Sequence, residues 1–387
     1  MFAEWEEQKG IVLIYPHVFC DFNANLEEVQ ECYESLITEI LKVEPLFLIV
    51  HPKDNGAKTR LQDFLSTLET KAYPCKIIEL ESNDLWARDS IAISVKKQHS
   101  QVLAQITNAM LGSKTKTNKL GILDKIINKE TEEEHIYANF GFNGWGLKYP
   151  ANLDNKLNTK LHEIGLFENM ETYGMILEGG SIDYNGNGLL LTNTQCLLEA
   201  NRNPHLSKEE IEENLKSTLQ VEKILWLNHG FLLGDDTDSH IDTLARFINE
   251  NTIAYIKCDD LNNPHFSALN AMEHELESLA KTHNLNLVPL PFCDYVAKCD
   301  EDSINNNSLV NNLSNDNLPT NNLPASYVNF LFLNQKVLLM PTYNKPTDLT
   351  ALQILKKALP DYNVISINCE ALIQQHGSLH CVSMQIH

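Results

Sequence analysis

Segments of helical and strand periodicity alternate along the first hundred residues, and few architectures accept that alternation. Leu26, Val29, Tyr33, Leu36, Ile37, Ile40 and Leu41 recur at helical spacing and predict one amphipathic helix. Pro45 breaks the pattern, and the apolar run from Leu46 to Val50 reads as a buried strand. A second helix is predicted over 58–71, then a strand over 76–80. A polar loop, Glu81 to Asp89, leads into another strand over 91–95. Chains built this way form layered α/β folds, in which polar residues just past a strand end commonly build the site.

Later segments add hairpins. Strands over 176–184 and 188–192 flank Asn185-Gly186-Asn187, a strong turn signal. Ser207, with Glu210 three residues on, predicts a capping box for a helix running to about Leu219. A strand over 221–227 feeds the polar loop 229–242. Near the end come a hairpin over 327–340, a helix over 348–358 and a strand over 364–367. The segment 302–322 differs, with nine asparagines among its 21 residues. It cannot bury enough apolar surface to order itself, so it is expected to be a mobile surface insertion in a single domain spanning 1–387.

Charge narrows the partners. Lys and Arg number 30 against 52 Asp and Glu, a formal net charge of −22, and only four arginines are present: Arg60, Arg88, Arg202 and Arg246. Nucleic-acid binding draws on Lys and Arg set against phosphates, so no nucleic-acid partner is expected and a small cation is the natural ligand. No run approaches the roughly 18 apolar residues of a membrane span, and the acidic start Met1 to Glu7 lacks the basic character of an export signal. Nine cysteines without a Cys-x-x-Cys pair argue against a zinc framework and fit reduced thiols in a cytoplasmic protein.

Four clusters at strand ends could carry chemistry: Trp86 to Asp89, Glu178-Gly179-Gly180, His240-Ile241-Asp242 and His380-Cys381. With Glu4-Trp5, Asn83-Asp84, Phe142-Asn143-x-Trp145-Gly146, Asp236-Thr237, Ala325-Ser326-Tyr327-x-Asn329-Phe330 and Gly377 they form an ordered series of motifs. That series resembles the agmatine deiminase family, which includes the bacterial peptidylarginine deiminases, over nearly the whole chain. The resemblance implies an α/β pentein propeller of five ββαβ modules around a pseudo-fivefold axis. It also implies a homodimer, and no metal or other cofactor.

The residues support the same chemistry on physical grounds. A guanidinium is planar, permanently charged and rich in donors, so carboxylates must hold it, and Asp89, Glu178 and Asp242 can supply them. Its hydrolysis needs a soft nucleophile and a proton carrier, roles open to Cys381 and His240. By similarity, Cys381 is the nucleophile, His240 the general acid and then base, Asp89 and Asp242 the guanidinium clamps, and Glu178 the partner that orients His240. Trp86 and Trp145 would wall the substrate, and Asp235 or Asp236 would meet the distal ammonium of agmatine. The product would be N-carbamoylputrescine, on the route to putrescine and the polyamines.

Three carboxylates near Cys381 are expected to raise its thiol pKa until the cationic substrate arrives. His380, read on a strand beside Cys381, is expected to point away from the pocket. His229 and His376 have no assigned role. Two departures from the family pattern bear on substrate choice: His376-Gly377-Ser378-Leu379 replaces a glycine run, and Ser239 stands where glycine is usual. Peptidyl arginine is the rival substrate, and a non-catalytic pentein binding module is the rival of another class.

Overall fold

The computed structural model describes residues 1–69, 71–97, 134–293, 296 and 322–387. The asparagine-rich stretch lies outside the described residues, apart from Asn322, which is buried.

Sixteen described strands form five mixed sheets. In four of them an antiparallel hairpin is extended by a parallel strand that a helix delivers. Strands β4 (Ile93–Lys97) and β5 (Glu134–Gly141) pair antiparallel, and β6 (Met170–Ile176) joins β5 in parallel. The same order recurs in β7 (Ile182–Tyr184), β8 (Leu189–Asn193) and β9 (Lys223–Leu227). It recurs again in β10 (Ala245–Asn249), β11 (Thr252–Lys257) and β12 (Asn286–Pro291). The fourth set is β13 (Leu331–Leu333), β14 (Val337–Thr342) and β15 (Asn363–Asn368). In the fifth sheet the last strand, β16 (Ser383–Ile386), lies antiparallel on β1 (Gly10–Ile14), with β2 (Leu46–Val50) and β3 (Cys75–Glu79) parallel beyond it. The two ends of the chain therefore meet in one sheet.

Each parallel step needs a crossover, and the amphipathic segments supply it. Helix α1 (Leu26–Val43) buries Val29, Tyr33, Leu36, Ile37, Ile40 and Leu41, the predicted stripe. Its acidic first turn and Lys42 in the last complement the helix dipole. The other crossovers are α2 (Asn55–Thr67), α3 (Leu157–Glu163), α4 (Lys208–Leu219), α5 (Phe266–His283) and α6 (Thr347–Ala358). Both halves of the predicted capping box open α4: the Ser207 hydroxyl accepts from Glu210 N, and the Glu210 carboxylate accepts from Ser207 N.

The strand expected over 176–184 is interrupted. Strand β6 stops at Ile176, a 3-10 turn occupies Gly179–Ser181, and β7 begins at Ile182. Close approach explains the break: a Cβ on Gly179 would sit 2.2 Å from the Arg88 carbonyl oxygen, so that backbone crosses the 87–90 turn with no room for a side chain. Among the described residues no helix is long and apolar enough to cross a membrane.

Candidate active site

The polar clusters of the sequence converge on one cleft. A helical turn after β3, Ala87–Ser90, carries Asp89. His240 caps the 3-10 turn Ile241–Thr243, which carries Asp242. Cys381 lies in the turn just before β16, and its carbonyl accepts from Arg88 N at 3.1 Å, so its backbone is tied to the turn that carries Asp89. Asp89, His240, Asp242 and Cys381 all line the cleft, as do Trp86, Trp145 and Asp236.

Asp89 is held at both oxygens. Oδ2 accepts from Trp145 Nε1 at 2.9 Å, and Oδ1 accepts from Gly180 N at 2.9 Å and lies 3.7 Å from His240 Nδ1. Trp145 reaches this position from a turn in which its own φ is +55°, a strained conformation for a bulky residue that the site maintains. Asp242 Oδ2 lies 3.6 Å from Cys381 Sγ, while Oδ1 is buried without a hydrogen-bond partner. His240 Nε2 is likewise buried and unpartnered.

Electrostatics follow from burying so many acids together. Burial, reinforced by Asp242 and Glu178, pushes Asp89 up to about 8. Burial with Asp21 and Asp154 pushes Asp84 up to about 8 as well. Burial lowers His240 to about 3, so its imidazole is neutral in the empty site. The Cys381 thiol is held well above its ordinary value by burial, then by Asp242 and Asp89. This matches the expected conflict between an acidic pocket and a thiolate.

Two groups oppose that rise, a backbone hydrogen bond at Ser378 and the side chain of Asn329. Asn329 Nδ2 donates to Cys381 Sγ at 3.2 Å, while Asn329 Oδ1 accepts from His380 N at 3.0 Å. Asn329→Asp keeps the acceptor, loses the donor and adds a negative charge. It is expected to slow alkylation of Cys381 at pH 8 by about tenfold or more and to move its pH midpoint upward, an order set by one charge-assisted hydrogen bond. The pH dependence of iodoacetamide labelling checks this.

One placement differs from the sequence reading. Glu178 does not line the cleft: both its oxygens accept from Arg202 Nε at 2.9 Å. With Cys196 it places a donor atom within 4.8 Å of a His240 ring nitrogen, but the Arg202 cation already balances its charge there, and no metal is assigned to the group. His380 stays off the cleft lining, as expected, but not for the expected reason. It lies in a turn rather than on a strand, so strand alternation does not apply, and its Nδ1 is 2.7 Å from Asp242 Oδ2.

The two replaced glycines keep a glycine-like backbone. Ser239 and His376 adopt φ of +69° and +72°. Each costs about 1–2 kcal/mol relative to glycine, offset locally by hydrogen bonds. Ser239 Oγ donates to Gln195 Oε1 at 2.9 Å, and His376 Nδ1 lies 2.6 Å from the Gly234 carbonyl oxygen. His376 thereby becomes part of the cleft wall, as do Asp21, Asp84, Tyr149 and Gln375, which sequence reading left unassigned. Gly377 is retained where it is needed, since a Cβ there would lie 2.1 Å from the Trp86 ring.

The chain matches the Porphyromonas-type peptidyl-arginine deiminase family across residues 1–386. It belongs to that family. Among curated relatives, the agmatine deiminase of Pseudomonas syringae pv. syringae is 28% identical, over 99% of this chain and 94% of its own length. Among solved structures, C. jejuni agmatine deiminase with substrate bound is 31% identical with a TM-score of 0.78, covering 100% of this chain and 95% of that one. Enterococcus faecalis agmatine deiminase is 26% identical, also with a TM-score of 0.78 and the same coverage. A deiminase of this family hydrolyses a C–N bond of a guanidinium, and the cleft holds the groups that such chemistry requires: a thiol, an imidazole and paired carboxylates.

In this deiminase the buried acids also set a pH dependence of stability. Asp84, Asp89 and Glu44 are raised to about 8, and Asp154 and Asp183 to about 7, by burial in every case. Unfolded carboxyls titrate near 4, so the folded protein holds extra protons, and their stabilisation is lost as pH rises through 7 to 8. Buried neutral histidines act in the opposite sense, but only below about pH 7. The melting temperature of the empty protein is therefore expected to fall by several degrees from pH 7 to pH 9. Differential scanning fluorimetry checks this, and an unchanged or rising value would refute it.

Proposed function

We propose that this protein hydrolyses agmatine to N-carbamoylputrescine and ammonia through a covalent thiouronium on Cys381. The observation that carries the choice of substrate is the wall of the cleft. Among the described residues its lining includes six aspartates, Asp21, Asp84, Asp89, Asp235, Asp236 and Asp242, and no lysine or arginine. All four arginines are engaged elsewhere: Arg60 with Glu34, Arg88 and Arg246 with Glu4, and Arg202 with Glu178. Free arginine would bring a carboxylate with no cation to meet it. Agmatine brings a second positive charge instead.

In the first half-reaction Asp89 and Asp242 hold the guanidinium in its plane. Its charge offsets theirs and makes the thiolate accessible. The thiol proton passes to His240, Sγ adds to the central carbon, and His240 delivers that proton to the departing nitrogen as the C–N bond breaks, releasing ammonia. In the second half, His240 takes a proton from water, the oxygen adds to the thiouronium carbon, and the C–S bond breaks to restore Cys381. Glu178, fixed by Arg202, stands behind His240 and keeps a negative charge on that side. Trp86 and Trp145 flank the methylenes, and Asp21 and Asp236 meet the distal ammonium. Asp235 is turned into its own loop, accepting from the Thr237 hydroxyl at 2.6 Å and from Ser239 N at 2.6 Å.

The same reading arranges the five sheets as five ββαβ modules of a pentein propeller in one catalytic domain, supported by their shared strand order. It places the protein in the cytoplasm, where reduced thiols persist, and as a homodimer with no nucleic-acid partner. Ammonia release from agmatine, free arginine and a blocked arginyl peptide tests the substrate. Agmatine is expected to be turned over with the highest kcat/KM, and turnover of the peptide alone would overturn the assignment.

A further inference from the structure

Glu4 and His380 belong to motifs that the reaction above leaves unused, yet they are joined to its centre. Asp242 Oδ2 lies 2.7 Å from His380 Nδ1, and His380 Nε2 lies 2.6 Å from Glu4 Oε1. The string runs Cys381, Asp242, His380, Glu4 and links the reacting sulfur to the fourth residue of the chain. It is almost wholly shielded: Asp242 is 0% and His380 1% exposed. Behind it, Glu4 also accepts from Arg88 Nη1 at 3.0 Å, from Arg246 Nη2 and from Gln385 Nε2 at 3.1 Å. Arg246 Nε in turn lies 3.7 Å from Asp183. On the cleft side, Asp242 faces His240, Asp89 and Cys381.

The two short contacts to the imidazole restrict the protons. A neutral ring has one N–H and one lone pair, so it can donate to only one of two carboxylates. For both contacts to be hydrogen bonds the string must hold two protons. Either both are on the ring, or one is on the ring and one on a carboxyl. Glu4, with two arginines on it, is the poorest place for a proton. Burial pushes it up, but Arg246, His380 and Arg88 outweigh burial and hold it well below the usual carboxylate range. Burial pushes Asp242 up as well, yet His380, His240 and Arg246 hold it below its ordinary value, while burial, Arg246 and Arg88 lower His380. Neither group keeps the second proton outright, so it is shared across the short contact between Asp242 Oδ2 and His380 Nδ1.

We infer that His380, backed by Glu4, is a positioning residue that stores the proton of Asp242. This inference rests on the reading of Asp242 as a guanidinium clamp. In the empty site the proton is shared across the 2.7 Å contact. When a guanidinium reaches the unpartnered Oδ1 of Asp242, the Oδ2–H bond breaks and the proton becomes the second N–H of the ring. The imidazolium then lies between two carboxylates. Asp242 becomes fully anionic toward substrate without exchanging a proton with water, and its orientation is fixed by the N–H it now accepts.

Proton counting by calorimetry tests this. Agmatine is titrated into Cys381→Ser and into Cys381→Ser with His380→Asn, at pH 7.5 in two buffers of different ionisation enthalpy. Asparagine can place its amide where Nδ1–H stood, but it cannot take up a proton. The double variant is expected to release about one more proton per agmatine than its parent, and its affinity is expected to fall about tenfold per unit of pH below neutrality. A residue that merely filled space would change affinity and leave the count alone, so an unchanged count overturns the inference while the clamp stands. Failure of agmatine to bind the parent would sink the clamp itself, and the inference with it. A second readout needs no change at His380: its 15N ring shifts in agmatine-saturated Cys381→Ser should be those of an imidazolium at pH 8. A neutral ring there would also overturn it.

Discussion

Replacing Cys381 with serine is expected to lower kcat by at least about 10⁴-fold, the scale of losses when a nucleophile is removed, while agmatine still binds. The size follows from what surrounds the sulfur. A serine hydroxyl ionises far less readily than a thiol. The nearby imidazole, His240, is lowered to about 3 in the empty site, so replacing the thiol by a less acidic hydroxyl widens the gap that proton transfer must cross. Binding survives because the clamps are carboxylates on other segments, Asp89 on the 87–90 turn and Asp242 on the 241–243 turn. Single-turnover ammonia release and calorimetric titration separate the two effects. Residual turnover within tenfold of the parent would remove Cys381 from the chemistry.

The same surroundings predict how the thiol behaves before substrate arrives. Burial, then Asp242 and Asp89, raise its pKa well above the ordinary thiol value, so it stays protonated at neutral pH, and a bound cation reverses the local sign. Iodoacetamide labelling of the empty protein should therefore be slow at pH 7 and rise steeply only in alkaline solution. A labelling midpoint at or below pH 7 would mean the sulfur is already a thiolate, and substrate would have no part in activating it.

What could be read from the sequence divides along a physical line. Local signals were readable: the apolar stripe of α1, the Ser207 and Glu210 cap, and the strand ends that carry Asp89, His240, Asp242 and Cys381. Each depends on residues a few positions apart. Contacts made across the chain were not readable. Glu178 and Arg202 pair over 24 positions, Asn329 reaches Cys381 over 52, and Glu4 meets His380 over 376. His380 shows the limit of a local rule. Period-two alternation was applied to a residue that precedes its strand by three positions, where the chain is still turning. His376 was missed for a related reason. Its importance comes from a left-handed backbone that a histidine adopts only because the Gly234 carbonyl receives its ring.

Gly180 gives the second large effect, a change of one methyl group. A Cβ built on it lies 2.7 Å from His240 Nδ1, 2.9 Å from Asp89 Oδ1 and 3.1 Å from Asp242 Oδ2. That single point is where His240, Asp89 and Asp242 converge, so the glycine keeps open the space those groups share. Its backbone is not left-handed, and alanine meets no conformational barrier there. Gly180→Ala should therefore fold and melt within a few degrees of the parent, yet lose about 10²–10³-fold in kcat/KM, because displacing reacting groups by about 1 Å costs that much. Its N–H must also go on donating to Asp89 at 2.9 Å, which pins the methyl in place and leaves the imidazole and the carboxylates to move. Steady-state kinetics and a thermal melt on the same preparation decide the matter. Near-normal kcat/KM with a normal melt would place the guanidinium away from that point, and with it the proposed roles of Asp89 and Asp242.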